Sequence, residues 1–500
     1  MKRGTRHSLA GVCLSGLFLW GACGGGIENE LTPTEEPLGR AESAMCSGTS
    51  VTALSISGAS TYMGELASSG SWTVASPANA VRMEYYVDGV LRSYGERTGA
   101  SGTWYFSTTG VACGARTLLV KAYPMVIDSS GNRTVCMDSS RSLSQAVIEP
   151  CPLITAGTSH TVAQTREGTL WAWGRNDHGP VGDGTTTDRS RPVQVAGFSG
   201  SLTIAEGLWH TLALKQDGTV WGWGGNDYGE VGDGTLTRRL TPVRVVGLSN
   251  VVAIAAGAEH SMALKQDGTV WTWGRNHYGE LGDGTLTSRS APAQVVGLSN
   301  ITAIAAGDWY MLALKQDGTL WAWGNNGWGQ LGDGTRTHRT RPVQVGISNV
   351  TAIAAGFIHT VAKKQDGTLW AWGYNYYGQL GDGTTTDRVL PVQVVGLSNP
   401  SVFAAGDNHT VALKQDGTVW AWGSNTNGQI GDGTSTWRST PVQVVGLGNV
   451  TTVDAGMAHT VARRQDGTLW AWGANYSGEL GDGTTTSRLT PTPVADLRLP

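Results

Sequence analysis

From Pro152 to Pro500 apolar and polar residues alternate at period two in short runs separated by glycine-rich turns, the signature of half-buried β-strands. One stretch shows the plan: "SVFAAG" at Ser401, "HTVALKQ" at His409, the dipeptide Asp416-Gly417, "TVWAWG" at Thr418, a long glycine-rich loop, and "TPVQVVG" at Thr440. Asp-Gly between two alternating runs predicts a hairpin with both central residues at positive φ. In "WAW" a strand sends Trp420 and Trp422 to one face and Ala421 to the other, so the sheet is bulky on one side and flat on its reverse. The same partition occurs at Trp171/Trp173, Trp221/Trp223, Trp271/Trp273, Trp321/Trp323, Trp370/Trp372 and Trp470/Trp472. Bulky faces packed on neighbouring flat faces would bury these indoles, and each buried indole contributes about 4 to 6 kcal/mol gross at ~25 cal/mol/Å².

The pattern is a tandem array. A marker following "AG" (once "EG") and two variable positions falls at His160, His210, His260, Tyr310, His359, His409 and His459, with a spacing of 50 residues except where one residue is lost near Gly346. Seven units of about four strands predict the blades of a propeller. The consensus "HTxALKQDGTVWAWGxNxxGQLGDGT" resembles the regulator of chromosome condensation repeat family. The resemblance spans residues 152–500 and implies an all-β, seven-bladed β-propeller whose ring is closed by a strand from one terminus completing a blade begun at the other. Thr490 to Leu497 is the segment expected to pair with the blade containing "LITAGTSHTVAQT".

The first 151 residues read differently. Lys2, Arg3 and Arg6 precede an apolar run from Leu9 to Ala22, a secretory signal over residues 1–23 that is too short to span a membrane. "LWGAC" resembles the lipobox of bacterial lipoproteins, which implies lipidation of Cys23; the alternative is cleavage without a lipid. Residues 24–45 are acidic and glycine-led, as a flexible linker would be. Residues 46–151 contain short strands, with an Asp88-Gly89 hairpin signal. Around "VRMEYYVDGVLR" and "TLLVKAYPMVIDSSGN" this segment resembles bacterial immunoglobulin-like domains, which implies a β-sandwich acting as a spacer or adhesive module. Cys46, Cys113, Cys136 and Cys151 all lie here and suit two disulfides in an oxidising compartment, with three pairings open. A zinc site is the competing reading, weakened because the segment has no histidine and no close cysteine pair.

Composition narrows the function. Glycine at 72 of 500 residues, 21 tryptophans and 15% charged residues fit a packed all-β chain, and a net charge of −4 offers no field for a phosphate backbone. No hydrolase elbow, metalloprotease helix, phosphate loop or EF-hand spacing occurs. The marker histidines surround an axis and cannot converge to metal-bond distance, so they are expected to hydrogen-bond a turn. Each "GDGT" aspartate (Asp183, Asp233, Asp283, Asp333, Asp382, Asp432, Asp482) precedes an arginine by six residues (Arg189, Arg239, Arg289, Arg339, Arg388, Arg438, Arg488). One carboxylate per loop is too few for calcium, so a turn-closing ion pair is expected.

What recurs in every unit builds the scaffold, so a binding site belongs where units differ. Those positions carry Trp209, Tyr228, Tyr278, Trp309, Trp328, Phe357, Tyr374, Tyr376 and Tyr377, with Asp227, Glu259, His277, Asp308, Asp407 and Asn408 among them. Aromatic loops with acidic groups point to protein or glycan contacts on one propeller face. The expectation is a monomeric, cofactor-free, non-enzymatic binding protein of the bacterial cell envelope, lipid-anchored or secreted. The family resemblance also implies two alternatives: regulation of nucleotide exchange on a small GTPase, or inhibition of an enzyme by capping its active site.

Overall fold

The computed structural model describes residues 45–62, 65–108, 114–149 and 153–499. The signal, the linker, Cys23, Cys113 and Cys151 lie outside these residues. The chain divides into two compact units, one within Cys23–Cys151 and one comprising Pro152–Pro500.

The N-terminal unit has eight strands: β1 (Ser50–Tyr62), β2 (Glu65–Ala75), β3 (Ala80–Val87), β4 (Val90–Thr98), β5 (Ser101–Thr108), β6 (Gly114–Ile127), β7 (Arg133–Val135) and β8 (Arg141–Glu149). One sheet runs β1-β2-β5; the other runs β4-β3-β6, with β7 and β8 both on β6. Trp72, Trp104 and Phe106 from the first sheet meet Val81, Met83, Tyr85 and Leu118 from the second in one core. Asp88 and Gly89 have φ of 52° and 84°, the paired positive values of a two-residue hairpin. Serine-rich β2 has no strand signal in its first half, and it is held by pairing with β1 on one edge and β5 on the other. Cys46 and Cys136 form a disulfide with Cα atoms 5.5 Å apart.

In the second unit the array forms seven four-stranded antiparallel sheets. Each is built from contiguous sequence, from Leu153–Ala156, His160–Gln164, Thr169–Gly174 and Arg189–Ser199 in the first blade to Val450–Ala455, His459–Arg464, Thr468–Gly473 and Arg488–Arg498 in the last. The C-terminal strand therefore pairs with Thr468–Gly473 in its own blade and not with the first blade, contrary to the expected strand exchange. The first blade already has four strands and leaves no vacancy.

The blade interfaces follow the Trp/Ala partition. Trp223 packs with Ala213 and Ile204 against Val162, Leu170, Ala172 and Val181 of the preceding blade. Every inner indole N–H donates to a backbone carbonyl of the blade before it, from Trp223 to Pro180 at 2.8 Å to Trp472 to Gln429 at 3.0 Å. The ring is closed by Trp173 donating to Glu479 at 2.9 Å. The first glycine of "GDGT" makes room: a Cβ on Gly232 would lie 2.6 Å from Nε1 of Trp273. The outer indoles are half-buried instead of core, because they sit near the hairpin end where the gap between blades opens to solvent. There the repeated peptide finishes the packing. Lys215 lies 4.9 Å over Trp221, Lys414 4.4 Å over Trp420, and Thr219 Oγ1 accepts from Trp221 Nε1.

The Asp-Gly turns differ from the two-residue form. Gly417 has φ of 77°, while Asp416 keeps a negative φ and its carboxylate accepts from Thr418 N and Oγ1. Gly417 N donates to Lys414 O and Lys414 N to Thr418 O, so three residues turn the chain and glycine alone is left-handed.

Candidate binding face

Two sets of loops meet on one face: those before each marker residue and those after each "WG". The second set is rigid. Asn176 donates from Nδ2 to the Thr185 and Thr187 carbonyls and accepts Val181 N, while Asp183 accepts Thr185 N and salt-bridges Arg189 at 2.5 Å. All seven expected Asp–Arg pairs form. The asparagine, fully buried in each blade, is a loop organiser that the sequence reading used only as a landmark.

The marker histidines belong to the framework, but their partner is the neighbouring blade and not a turn. His160 Nε2 lies 3.0 Å from Thr211 Oγ1, and His459 closes the circle 3.1 Å from Thr161. Each partner hydroxyl gives its single hydrogen to a carbonyl, as Thr211 does to Pro180 at 2.9 Å and Ser261 to Glu230 at 2.8 Å, so it accepts from Nε2–H. Burial first, then neighbouring histidines, lowers His160 from 6.5 to about 3. The circuit breaks once. Met311 replaces the hydroxyl, leaving His260 Nε2 without one, and Tyr310 Oη donates instead to the His359 carbonyl at 2.6 Å.

The nine aromatic side chains chosen from sequence separate into two groups. Near the mouth of the axial channel, Trp209 stacks on His178 at 4.4 Å beneath Arg175, Tyr228 touches His277 and Arg275, and Tyr278 and Phe357 flank Trp309 at 6.3 and 4.9 Å. These rings are half-buried and interleaved with charge; Glu259 pairs with Arg275. Farther out, Trp328 meets Tyr374 at 4.7 Å, and Tyr374 lies 6.4 Å from Tyr376 and 6.2 Å from Tyr377. Trp437, missed from sequence, completes this group 5.7 Å from Tyr376 and 4.6 Å from Tyr377. Its signal was present: it occupies the position before the repeated arginine, where other blades carry Asp188, His338 or Asp387 to cap the asparagine N–H. Trp328, Tyr376 and Trp437 are 41%, 56% and 43% exposed, against zero for every inner blade indole.

The innermost strands line an axial cavity of about 550 Å³ walled mainly by alanine, glycine and isoleucine. Glu206, Asp308, Asp407 and Asp454 face it. Burial raises Asp407 to about 7 and Asp454 to about 6; it also raises Asp308, aided by Asp407, and Glu206, aided by Asp454, well above their usual values. Among the described residues no group of three His, Cys, Asp or Glu converges as a metal site.

Seven equivalent blades joined by indole-to-carbonyl bonds define a repeat propeller. Residues 201–499 match the RCC1-like domain, and 167–214 and 153–179 match regulator of chromosome condensation repeats. The chain belongs to the regulator of chromosome condensation repeat family. It is similar to Prp20p from Saccharomyces cerevisiae, a protein studied for its binding to Gsp1p and histones, with 27% identity, a TM-score of 0.61, and coverage of 67% of this chain and 86% of that one. Human WBSCR16 shares the fold at 23% identity and TM-score 0.61, over 66% and 94% of the two chains. The E3 ubiquitin-protein ligase HERC2 of Homo sapiens is 45% identical over 47 residues, 9% of this chain and 1% of that protein's length.

Proposed function

We propose that this chain is an exported, lipid-anchored, non-enzymatic binding protein whose propeller face recognises a protein or glycan. Residues 1–23 direct export, Cys23 carries the lipid, and residues 46–151 act as an immunoglobulin-like spacer. The observation that supports recognition is the exposed patch of Trp328, Tyr376 and Trp437, large rings left in water on a molecule that buries its other indole pairs wholly or by half. Relatives with protein partners favour the same reading.

Replacing Tyr376 and Tyr377 with serine is expected to abolish crosslinking to a surface partner with little change in melting temperature, since both rings lie on loops. Unchanged crosslinking counts against the face. Cys23→Ser is expected to move the protein from the membrane to the soluble fraction; unaltered partitioning would reject the anchor. Similarity to Prp20p supports a second reading, regulation of nucleotide exchange on a small GTPase, and accelerated release of bound nucleotide from a small GTPase by the purified propeller would favour it. Enzyme inhibition by capping is a sharper form of the first reading.

A further inference from the structure

The outer aromatic patch has a composition that selects among partners. Its rings contact one another in series: Trp328 to Tyr374, Tyr374 to Tyr376 and Tyr377, and both of these to Trp437. The charges beside it are already neutralised. Arg336 pairs with Asp387 at 3.1 Å, donates to the Gly327 carbonyl and lies 5.9 Å over Trp328, while Asp387 also accepts the Asn375 N–H. Both of these ions therefore already have partners. The polar groups at the margin are neutral: Trp437 Nε1 donates to Thr426 Oγ1, and Tyr476, 70% exposed, donates from its hydroxyl to Asn427 Oδ1. Among the described residues the hydroxyls of Tyr376 and Tyr377 make no hydrogen bond.

Tyr374 and Tyr376 lie nearly parallel at 14°, Tyr377 stands edge-on to both and to Trp437, and Trp328 is edge-on to Tyr374. Exposed rings edged by uncharged hydroxyl and amide groups suit one chemistry. A pyranose has a C–H face whose slightly positive hydrogens suit the negative face of an aromatic ring, and a rim of hydroxyls that needs neutral donors and acceptors. A protein hot spot instead joins its aromatic anchors to arginine and surrounds them with a polar, solvent-accessible rim. We propose that Trp328, Tyr374, Tyr376, Tyr377 and Trp437 form a recognition patch for an uncharged polysaccharide, in which sugars stack on the exposed rings of Trp328, Tyr376 and Trp437 and the free tyrosine hydroxyls meet their edges. This rests on the proposed recognition by the aromatic face and names its partner class.

The test is affinity electrophoresis of the full chain in gels containing hydroxyethylcellulose, xylan or glycol chitin. At least one is expected to retard the wild type, and Tyr376→Ser with Trp437→Ala is expected to weaken the retardation at least tenfold, while the distant control Tyr94→Ser, in β4, leaves it intact. No retardation in any gel, or retardation indifferent to the double variant, overturns the proposal. A parallel arm separates it from the parent reading, using bacterial envelopes treated with protease or with periodate, which cleaves vicinal diols. Binding lost only after periodate supports a glycan. Binding lost only after protease, yet still dependent on Tyr376, overturns the glycan and leaves the face intact. Binding independent of Tyr376 and Trp437 defeats both.

Discussion

Trp323→Ala is expected to destabilise the propeller by about 4 to 6 kcal/mol, the sum of a large-to-small cavity and a carbonyl left without its donor. Trp323 is fully buried among Met262, Val270, Val295 and Met311, and its Nε1 donates to Glu280 O at 2.7 Å. The cavity cannot collapse easily, because its far wall is the backbone of another blade: a Cβ on Gly282 would already stand 2.8 Å from Nε1. At ~2.1 cal/mol/K per residue over a unit of this length, the melting temperature should fall by roughly 5 to 8 °C. Trp321→Ala is the matched control. That indole is half-buried, makes no hydrogen bond through Nε1 and is covered by Lys315 at 4.7 Å, so its loss should cost about 1 to 2 kcal/mol. Equal losses in the two variants would show that the inner ring is not what joins the blades.

That asymmetry marks where sequence reading stops. Period two decides which face of a strand Trp321 and Trp323 share, since alternation is a property of the chain alone. How deep each lies depends on the wedge between blades, and nothing local to "WAW" records it. The same division recurs elsewhere. The Asp183–Arg189 pair is legible because both partners lie in one loop, six residues apart. The His160–Thr211 bond joins residues 51 apart in different blades, so the histidine reads as scaffold but its partner does not. The destination of the C-terminal strand differs from expectation because alignment with earlier repeats gives the strand's identity, whereas its partner depends on where the first blade begins. Trp437 escapes a search for variable loops since it interrupts a position that caps the loop in other blades. The aromatic residues chosen because they vary fall into two separate ring groups, one around Trp309 and one around Tyr376.

A pH effect of similar size is expected from a position where blades alternate between an acid and its amide. Glu230, Glu280 and Glu479 stand where three other blades have Gln330, Gln379 and Gln429, and all accept the same backbone N–H: Tyr228 N to Glu230 at 2.8 Å, Trp328 N to Gln330 at 3.0 Å. Burial raises both Glu230 and Glu280 from 4.5 to about 7. An acid whose folded pKa is raised holds its proton in the native state where the unfolded chain has lost it, so its stabilisation is complete below about pH 4.5 and is lost as pH rises through 7. The six buried histidines act in the opposite sense. Held neutral down to about 3 or 4, they favour the native state above 6.5 and withdraw that support as pH falls. The total profile mixes both sets, but the difference between wild type and Glu230→Gln with Glu280→Gln isolates the acids. The double amide is expected to be more stable at pH 8 by a few kcal/mol, from the ~1.4 kcal/mol per pH unit that each raised acid forfeits between 4.5 and 7, and the gain should vanish by about pH 4.5. Urea melts at the two pH values measure it. A gain that persists undiminished at pH 4.5 would mean that ionisation of these glutamates is not its source.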